Sequence, residues 1–144
     1  MEEKINDDIL AHLYNFYNDN PYVKLLHIRI EEVAYGRVTL SMEASEKLSN
    51  FYHIMHGGAL MSLADTAMGA TCLSVNKKVV TQSMNSHFIR AVSEGTRLFA
   101  SGTILHNGRK TLVCETRLTD EEGNLFCQAT GNFFVIGPCI DAPV

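Results

Sequence analysis

Apolar positions change their period along the chain, and each period predicts an element. Ile5, Ile9, Leu10, Leu13, Tyr14 and Tyr17 recur at helical spacing, which places them on one face of a helix over about 5–18. Asn20-Pro21 is expected to stop that helix. Strands are expected over 27–34 and 37–43, joined at Tyr35-Gly36. In the second, Val38, Leu40 and Met42 alternate with Arg37, Thr39 and Ser41, the period of a half-buried strand.

The middle of the chain differs. From Leu48 to Asn76 the only charged residue is Asp65. His56-Gly57-Gly58 opens a run of Ala, Leu, Met and Ser that is apolar on nearly every side, the pattern of a buried helix. Asn76-Lys77-Lys78 is expected to end it. The rest reads as strands at about 79–91, 95–107, 110–120 and 124–136. The breaks at Ser93-Glu94-Gly95, Asn107-Gly108 and Glu122-Gly123-Asn124 are hairpin-type turn signals. One long buried helix and a meander of long strands predict an α+β fold. A curved antiparallel sheet wraps the helix, and a partner subunit closes it further. No repeat, linker or low-complexity run divides the sequence, so one domain over 1–144 is expected, its core at about 25–137.

Composition narrows the function classes. A formal net charge of −4 argues against nucleic acid as a partner, because phosphate binding wants a basic face. The segment 54–75 is long enough to raise the question of a membrane span, but it holds Asp65, three glycines and several hydroxyl residues, so no membrane partner is expected. The stretch Met1–Asp8 is acidic where a secretory signal would start basic, which reads as cytoplasmic. Cys72, Cys114, Cys127 and Cys139 have no C-x-x-C spacing and no nearby histidine to complete a zinc pattern, so they read as core or edge thiols. His12, His27, His87 and His106 have no ligand spacing either, and no metal site is expected.

The candidate chemistry sits on the central helix. The first N–H groups of a helix have no partner inside it, and with the helix dipole they favour negative charge. Gly57 and Gly58 leave that end open, so a thioester carbonyl placed there would find its developing oxyanion stabilised, an effect worth ~3 kcal/mol per donor. The same glycines would equally permit tight packing of helix on sheet. Asp65 is the second feature: a carboxylate on an uncharged buried helix costs several kcal/mol unless solvated or paired. It lies eight residues past Gly57, ~12 Å along the axis at 1.5 Å per residue. Asp65 therefore cannot reach a carbonyl held at its own helix start. If both serve one substrate, two copies of the helix must run antiparallel, and a homodimer with two equivalent sites follows.

The segment Asn50-Phe51-Tyr52-His53-Ile54-Met55-His56-Gly57-Gly58, followed by Asp65, resembles the signature of hotdog-fold acyl-CoA thioesterases of the phenylacetate-degradation (PaaI-like) type. The resemblance runs from about Leu25 to Ile136 and includes Gly36-Arg37-Val38, Ala67-Met68-Gly69 and the strand from Thr81 to Ala91. It implies dimers with paired helices, often assembled into homotetramers. It implies that the Gly57 N–H donates to the thioester carbonyl and that the partner's Asp65 activates water or attacks the carbonyl. Asn50 would position water or carbonyl, and His56 would open the helix and orient its neighbours. Ser83 would correspond to a position that assists the aspartate or the water. Position 53 is often Gly in this family and is His53 here; Ala91 stands where Pro is common.

A thioester is already activated, so no cofactor is expected beyond the coenzyme A of the substrate. Its phosphates call for a basic mouth, for which Arg90, Arg109 and Lys110 are the candidates, as Gly58 is for the acyl-thioester end. Phe51, Tyr52, Met55, Met61 and Met68 could line an acyl pocket, with Met adapting to varied shapes. Two alternatives compete with hydrolysis. One is a hotdog hydratase or dehydratase using His56 with Asp65. The other is a non-catalytic acyl-CoA-binding module, which would leave Asp65 without a purpose.

Overall fold

The computed structural model describes residues 3–141; Met1 and Glu2 of the acidic leader, and Pro143, lie outside them. Helix α1 spans Asp7–Asp19, its first turn capped by Asn6, whose Oδ1 accepts from the Asp8 and Ile9 amides. It ends as expected before Pro21. Pro21 then opens a second helix, α2 (Pro21–Leu25), because Asn20 caps it and proline suits a first helical position. Strands β1 (Arg29–Ala34) and β2 (Arg37–Glu43) follow, then a 3-10 turn at Glu46–Leu48.

The central helix α3 runs Gly57–Ser74, capped by His56. It ends a little before the polar cluster, with Val75 at the cap and Asn76 in the left-handed region at φ 62°. Strands β3 (Lys78–Phe88), β4 (Arg97–Asn107), β5 (Thr111–Thr119) and β6 (Leu125–Gly137) complete the chain. They form one antiparallel sheet ordered β1-β2-β4-β5-β6-β3.

The sheet order corrects the expected meander at one point. β3 and β4 are not a hairpin: β3 pairs with β6 at the sheet edge, and β4 pairs with β2 and β5. Residues 89–96 carry the chain between them. Ile89 and Arg90 donate to the Phe126 carbonyl, Met55 donates to the Val92 carbonyl, and Gly95 donates to the Ala44 carbonyl. The crossing segment thus ties the start of β6 to the loop before α3 and to the end of β2.

The core lies between α3 and the inner sheet face: Leu63, Ala64, Ala67, Met68 and Ala70 on the helix, Val38, Leu40, Leu98, Leu112, Leu118 and Phe133 on the sheet. Gly102 sets the closest approach. A Cβ there would lie 2.2 Å from Thr71 Oγ1 and 2.8 Å from the Ala67 carbonyl oxygen. Cys72, Cys114 and Cys127 are buried and Cys139 is half-buried, all as free thiols. The helix is not buried all round. Gly58 and Met61 are exposed and Ser62, Asp65, Thr66 and Gly69 half-buried, and the i, i+3, i+4 spacing of these six makes them a single face. No helix among the described residues is long and apolar enough to cross a membrane.

Candidate active site

The open face of α3 forms the floor of a cleft of about 450 Å³. Asp65, Thr66 and Gly69 lie at its base; Val79 and Thr81 of β3 form one wall; Tyr17 and Tyr22 of the N-terminal helices form the other. Asp65 is half-buried, and its Oδ1 accepts from Thr81 Oγ1 at 2.7 Å. The carboxylate is thereby oriented by one hydroxyl in a cleft otherwise rich in carbon.

The expected assisting hydroxyl is Ser83; within the chain, the hydroxyl bonded to Asp65 is that of Thr81. Strict alternation would set both residues on the face of β3 that looks at the helix. A register shift between Thr81 and Ser83 breaks the alternation. Thr81 pairs with buried Phe133 on the inner face, while Ser83 pairs with exposed Asn132 and accepts from its Nδ2 at 2.9 Å. The bulge thus turns Ser83 to the outer face, away from Asp65 of its own chain.

At the helix start, His56 Nδ1 accepts from the Gly58 amide at 2.8 Å. An imidazole accepting at Nδ1 carries its proton on Nε2. The cap occupies the Gly58 N–H, so Gly58 has no amide left for a substrate. Gly57 N–H makes no hydrogen bond among the described residues and is the amide available to a ligand. Beside it lies a smaller apolar recess of about 270 Å³, lined by Ile54, Met55, Leu60, Phe88 and Val92. Asn50 Oδ1 accepts from the Tyr52 amide at 2.8 Å and the Ile54 amide at 3.4 Å, which fixes the loop before the helix. Its Nδ2 has no partner among the described residues. The family's usual glycine at position 53 has a visible cause: His53 sits at φ 62°, in the left-handed region that glycine enters freely.

Within one chain the two candidate groups are apart, with Asp65 in the cleft and Gly57 at the start of the same helix. The candidate cations are also apart. Arg90 lies over the Phe126 ring at 5.8 Å from its centroid, near the start of β6. Lys110 accepts at its carbonyl from the Val135 amide, near the strand's end. Nine residues of strand at ~3.3 Å each separate the two, ~30 Å. Arg109 shares the turn with Lys110, and all three are exposed. Of the expected acyl-pocket residues, Met55 and Met68 are core, Met61 is 38% exposed, and Phe51 and Tyr52 stand out from the surface at 97% and 80% exposure.

Thr81 and Tyr17 are among the cleft residues that the sequence did not single out for the site. Tyr17 belongs to the apolar face of α1, where a core role and a cleft role share one spacing. Enclosure of its hydroxyl end pushes the phenol well above its ordinary range, helped by the nearby Cys72 and Asp65.

Comparison with known proteins agrees with this geometry. The profile of the Thioesterase superfamily matches residues 52–127. The chain is similar to the acyl-coenzyme A thioesterase PaaI of Escherichia coli, 27% identical over 86% of this chain and 89% of that protein. The structure of Escherichia coli PaaI superposes with a TM-score of 0.88, at 25% identity, over 93% of this chain and 97% of that one. A hypothetical thioesterase protein of Streptococcus pneumoniae solved with coenzyme A superposes with a TM-score of 0.75, at 30% identity, over 77% of this chain and 90% of that one. The Streptococcus pneumoniae protein has also been solved as two alanine variants, one at an aspartate and one at a threonine sixteen residues further on. A profile match over more than half the chain, on a helix-wrapping antiparallel sheet shared with these structures, shows that the chain has the hotdog fold and belongs to the thioesterase superfamily.

Proposed function

We propose that the chain is an acyl-CoA thioesterase that works as a homodimer, with each site shared between two subunits. The observation that carries this reading is the Asp65 carboxylate, held by Thr81 at 2.7 Å in an open cleft on an otherwise uncharged helix. The same sixteen-residue interval separates Asp65 from Thr81 and the aspartate from the threonine replaced in the Streptococcus pneumoniae variants.

The substrate carbonyl oxygen accepts from the Gly57 N–H of one subunit, with Asn50 Nδ2 of that subunit as a second donor. Asp65 of the other subunit takes a proton from water as the water attacks the carbonyl carbon. The tetrahedral intermediate collapses, the carbon–sulfur bond breaks, and the departing CoA thiolate recovers the proton. In the nucleophilic variant Asp65 itself attacks, expels the thiolate and leaves a mixed anhydride that water opens. Neither course calls for a metal or redox cofactor.

Three features support the dimer. The two halves of the site lie ~12 Å apart along one helix. β3 is a long edge strand whose outer side is unpaired among the described residues, an open template for a second copy. An antiparallel pairing of β3 with its twin would also turn Arg90 of one subunit toward the sheet end that carries the partner subunit's Arg109 and Lys110, so that the three together meet the CoA phosphates. The hydratase reading finds less support, because Nδ1 of His56 is engaged by the Gly58 amide.

The test is thiol release from acyl-CoA by wild type and by Asp65→Ala. Release by wild type alone supports hydrolysis. Water addition to crotonyl-CoA without thiol release would replace this reading with a hydratase. Tight binding with no turnover would replace it with a binding module. A single turnover in isotopically labelled water then separates the two courses: label enters Asp65 only if the carboxylate is the nucleophile.

A further inference from the structure

One wall of the cleft beside Asp65 is built by the N-terminal helices, which are hydrogen-bonded to one another and to α3. Asn20 Oδ1 accepts from both the Tyr22 and Val23 amides at 3.0 Å, and Tyr22 Oη and Ser62 Oγ are 2.6 Å apart, which pins α2 to α3. Tyr17 comes from α1 and brings its hydroxyl down over Gly69, where a Cβ would lie 3.8 Å from the phenol oxygen. Gly69 is one helical turn past Asp65 on the same face, ~6 Å along the axis. A reacting carbonyl at Asp65 therefore has the Tyr17 hydroxyl about one helical turn away in a cleft that Phe16, Leu73, Val79 and Phe133 also line.

Two details single out the Tyr17 end. Tyr17 is half-buried in the cleft wall, and its hydroxyl makes no hydrogen bond among the described residues, so it is free to meet a ligand there. Directly below it the helix carries glycine, which lowers helix stability relative to alanine and leaves the floor free of a methyl. Burial keeps the phenol protonated, so it is a donor at neutral pH.

We propose that α1 and α2 roof the acyl chamber and that Tyr17 is its specificity-determining residue, its hydroxyl donating to a hydrogen-bond acceptor at the far end of the acyl group. The substrate class is then acyl-CoAs of medium length whose acyl tail ends in a hydroxyl or carbonyl, in preference to plain hydrocarbon. The proposal rests on the thioesterase reading.

The experiment compares kcat/KM for hexanoyl-CoA and 6-hydroxyhexanoyl-CoA in wild type and in Tyr17→Phe. The exchange keeps the ring and removes one oxygen, and an unchanged melting temperature verifies the fold. Wild type is expected to prefer the hydroxylated substrate. In Tyr17→Phe that preference falls by about three- to tenfold, the range of one neutral hydrogen bond. An unchanged preference in Tyr17→Phe, or equal loss on both substrates, would overturn the proposal and leave the thioesterase reading standing. So would thiol release from other acyl-CoAs but from neither of these. Thiol release from no acyl-CoA would overturn both.

Discussion

A carboxylate that attacks or activates water works best with one oxygen held and the other free. Asp65 accepts from the Thr81 hydroxyl at Oδ1, lines the cleft, and has no hydrogen-bond partner at Oδ2 among the described residues. Replacing Thr81 by valine keeps the shape and removes that hydrogen bond, so kcat is expected to fall by about tenfold with KM within about twofold. Ser83→Ala, on the outer sheet face, is expected to leave kcat within about twofold; steady-state kinetics on one acyl-CoA checks both. A larger loss at Ser83 than at Thr81 would mean that the outer face of β3 belongs to the site. The contrast shows which residue-level features the sequence could disclose. Asp65 was legible because a lone charge in an apolar run is costly wherever it lies. Gly57 was legible because helix starts have free amides. Thr81 was not, because a one-residue bulge decides which of two nearby hydroxyls faces inward, and nothing in the order Thr81-Gln82-Ser83-Met84 marks the bulge. The departure at His53 was visible in the sequence, but its meaning, a side chain at φ 62°, needed the backbone.

At the scale of elements, the helix and the strands were legible from their periods, and the pairing order was not. Turn residues at Ser93-Glu94-Gly95 look alike whether the chain folds back on its neighbour or crosses the sheet, so the position of β3 at the edge rests on contacts distant in sequence. The seating of α3 on the sheet rests on Gly102. Gly102→Ala would drive a methyl into Thr71 Oγ1 and the Ala67 carbonyl, and the latter belongs to the helix backbone and yields only if the helix shifts. Overpacking of this kind costs about 1–3 kcal/mol, measurable as a lower urea midpoint at unchanged slope. On the other side of the sheet, Glu31 links β1 to β2 and β4. Its carboxylate accepts from Ser41 Oγ at 2.6 Å and pairs with Arg97. The Ser41 hydrogen bond, and then Arg97, hold the Glu31 carboxyl below its ordinary value of 4.5. The folded state therefore binds this proton more weakly than the unfolded chain. The stabilisation is present in full above pH 4.5 and is lost as pH falls through the lowered folded value. Glu31→Gln should be slightly less stable than wild type at pH 7, because the pair is partly solvated, and the two unfolding curves should converge in acid. A gap that widened below pH 4.5 would contradict this.

On the proposed reading, a single chain places its catalytic carboxylate and its oxyanion donor on one helix where they cannot meet. In a two-fold dimer the arrangement becomes an economy: one helix, used twice, supplies opposite halves of two sites. This can be tested without a view of the dimer. Gly57→Pro removes the amide proton and little else, since proline suits the first helical position and His56 already has φ −64° and ψ 136°, the extended conformation that a residue before proline requires. Asp65→Ala removes the carboxylate. Each homodimer then lacks one component at both sites and should be nearly inactive. If the two variants are unfolded and refolded together in equal amounts, half of the dimers are mixed. In each mixed dimer, one site combines intact Asp65 with intact Gly57, and the other lacks both. The mixture should recover about a quarter of wild-type activity. Were both components drawn from the same chain, every site in the mixture would still lack one of them, and no activity would return. Recovery near a quarter, with each variant alone inactive and folded, can arise only if the carboxylate and the amide act from different subunits.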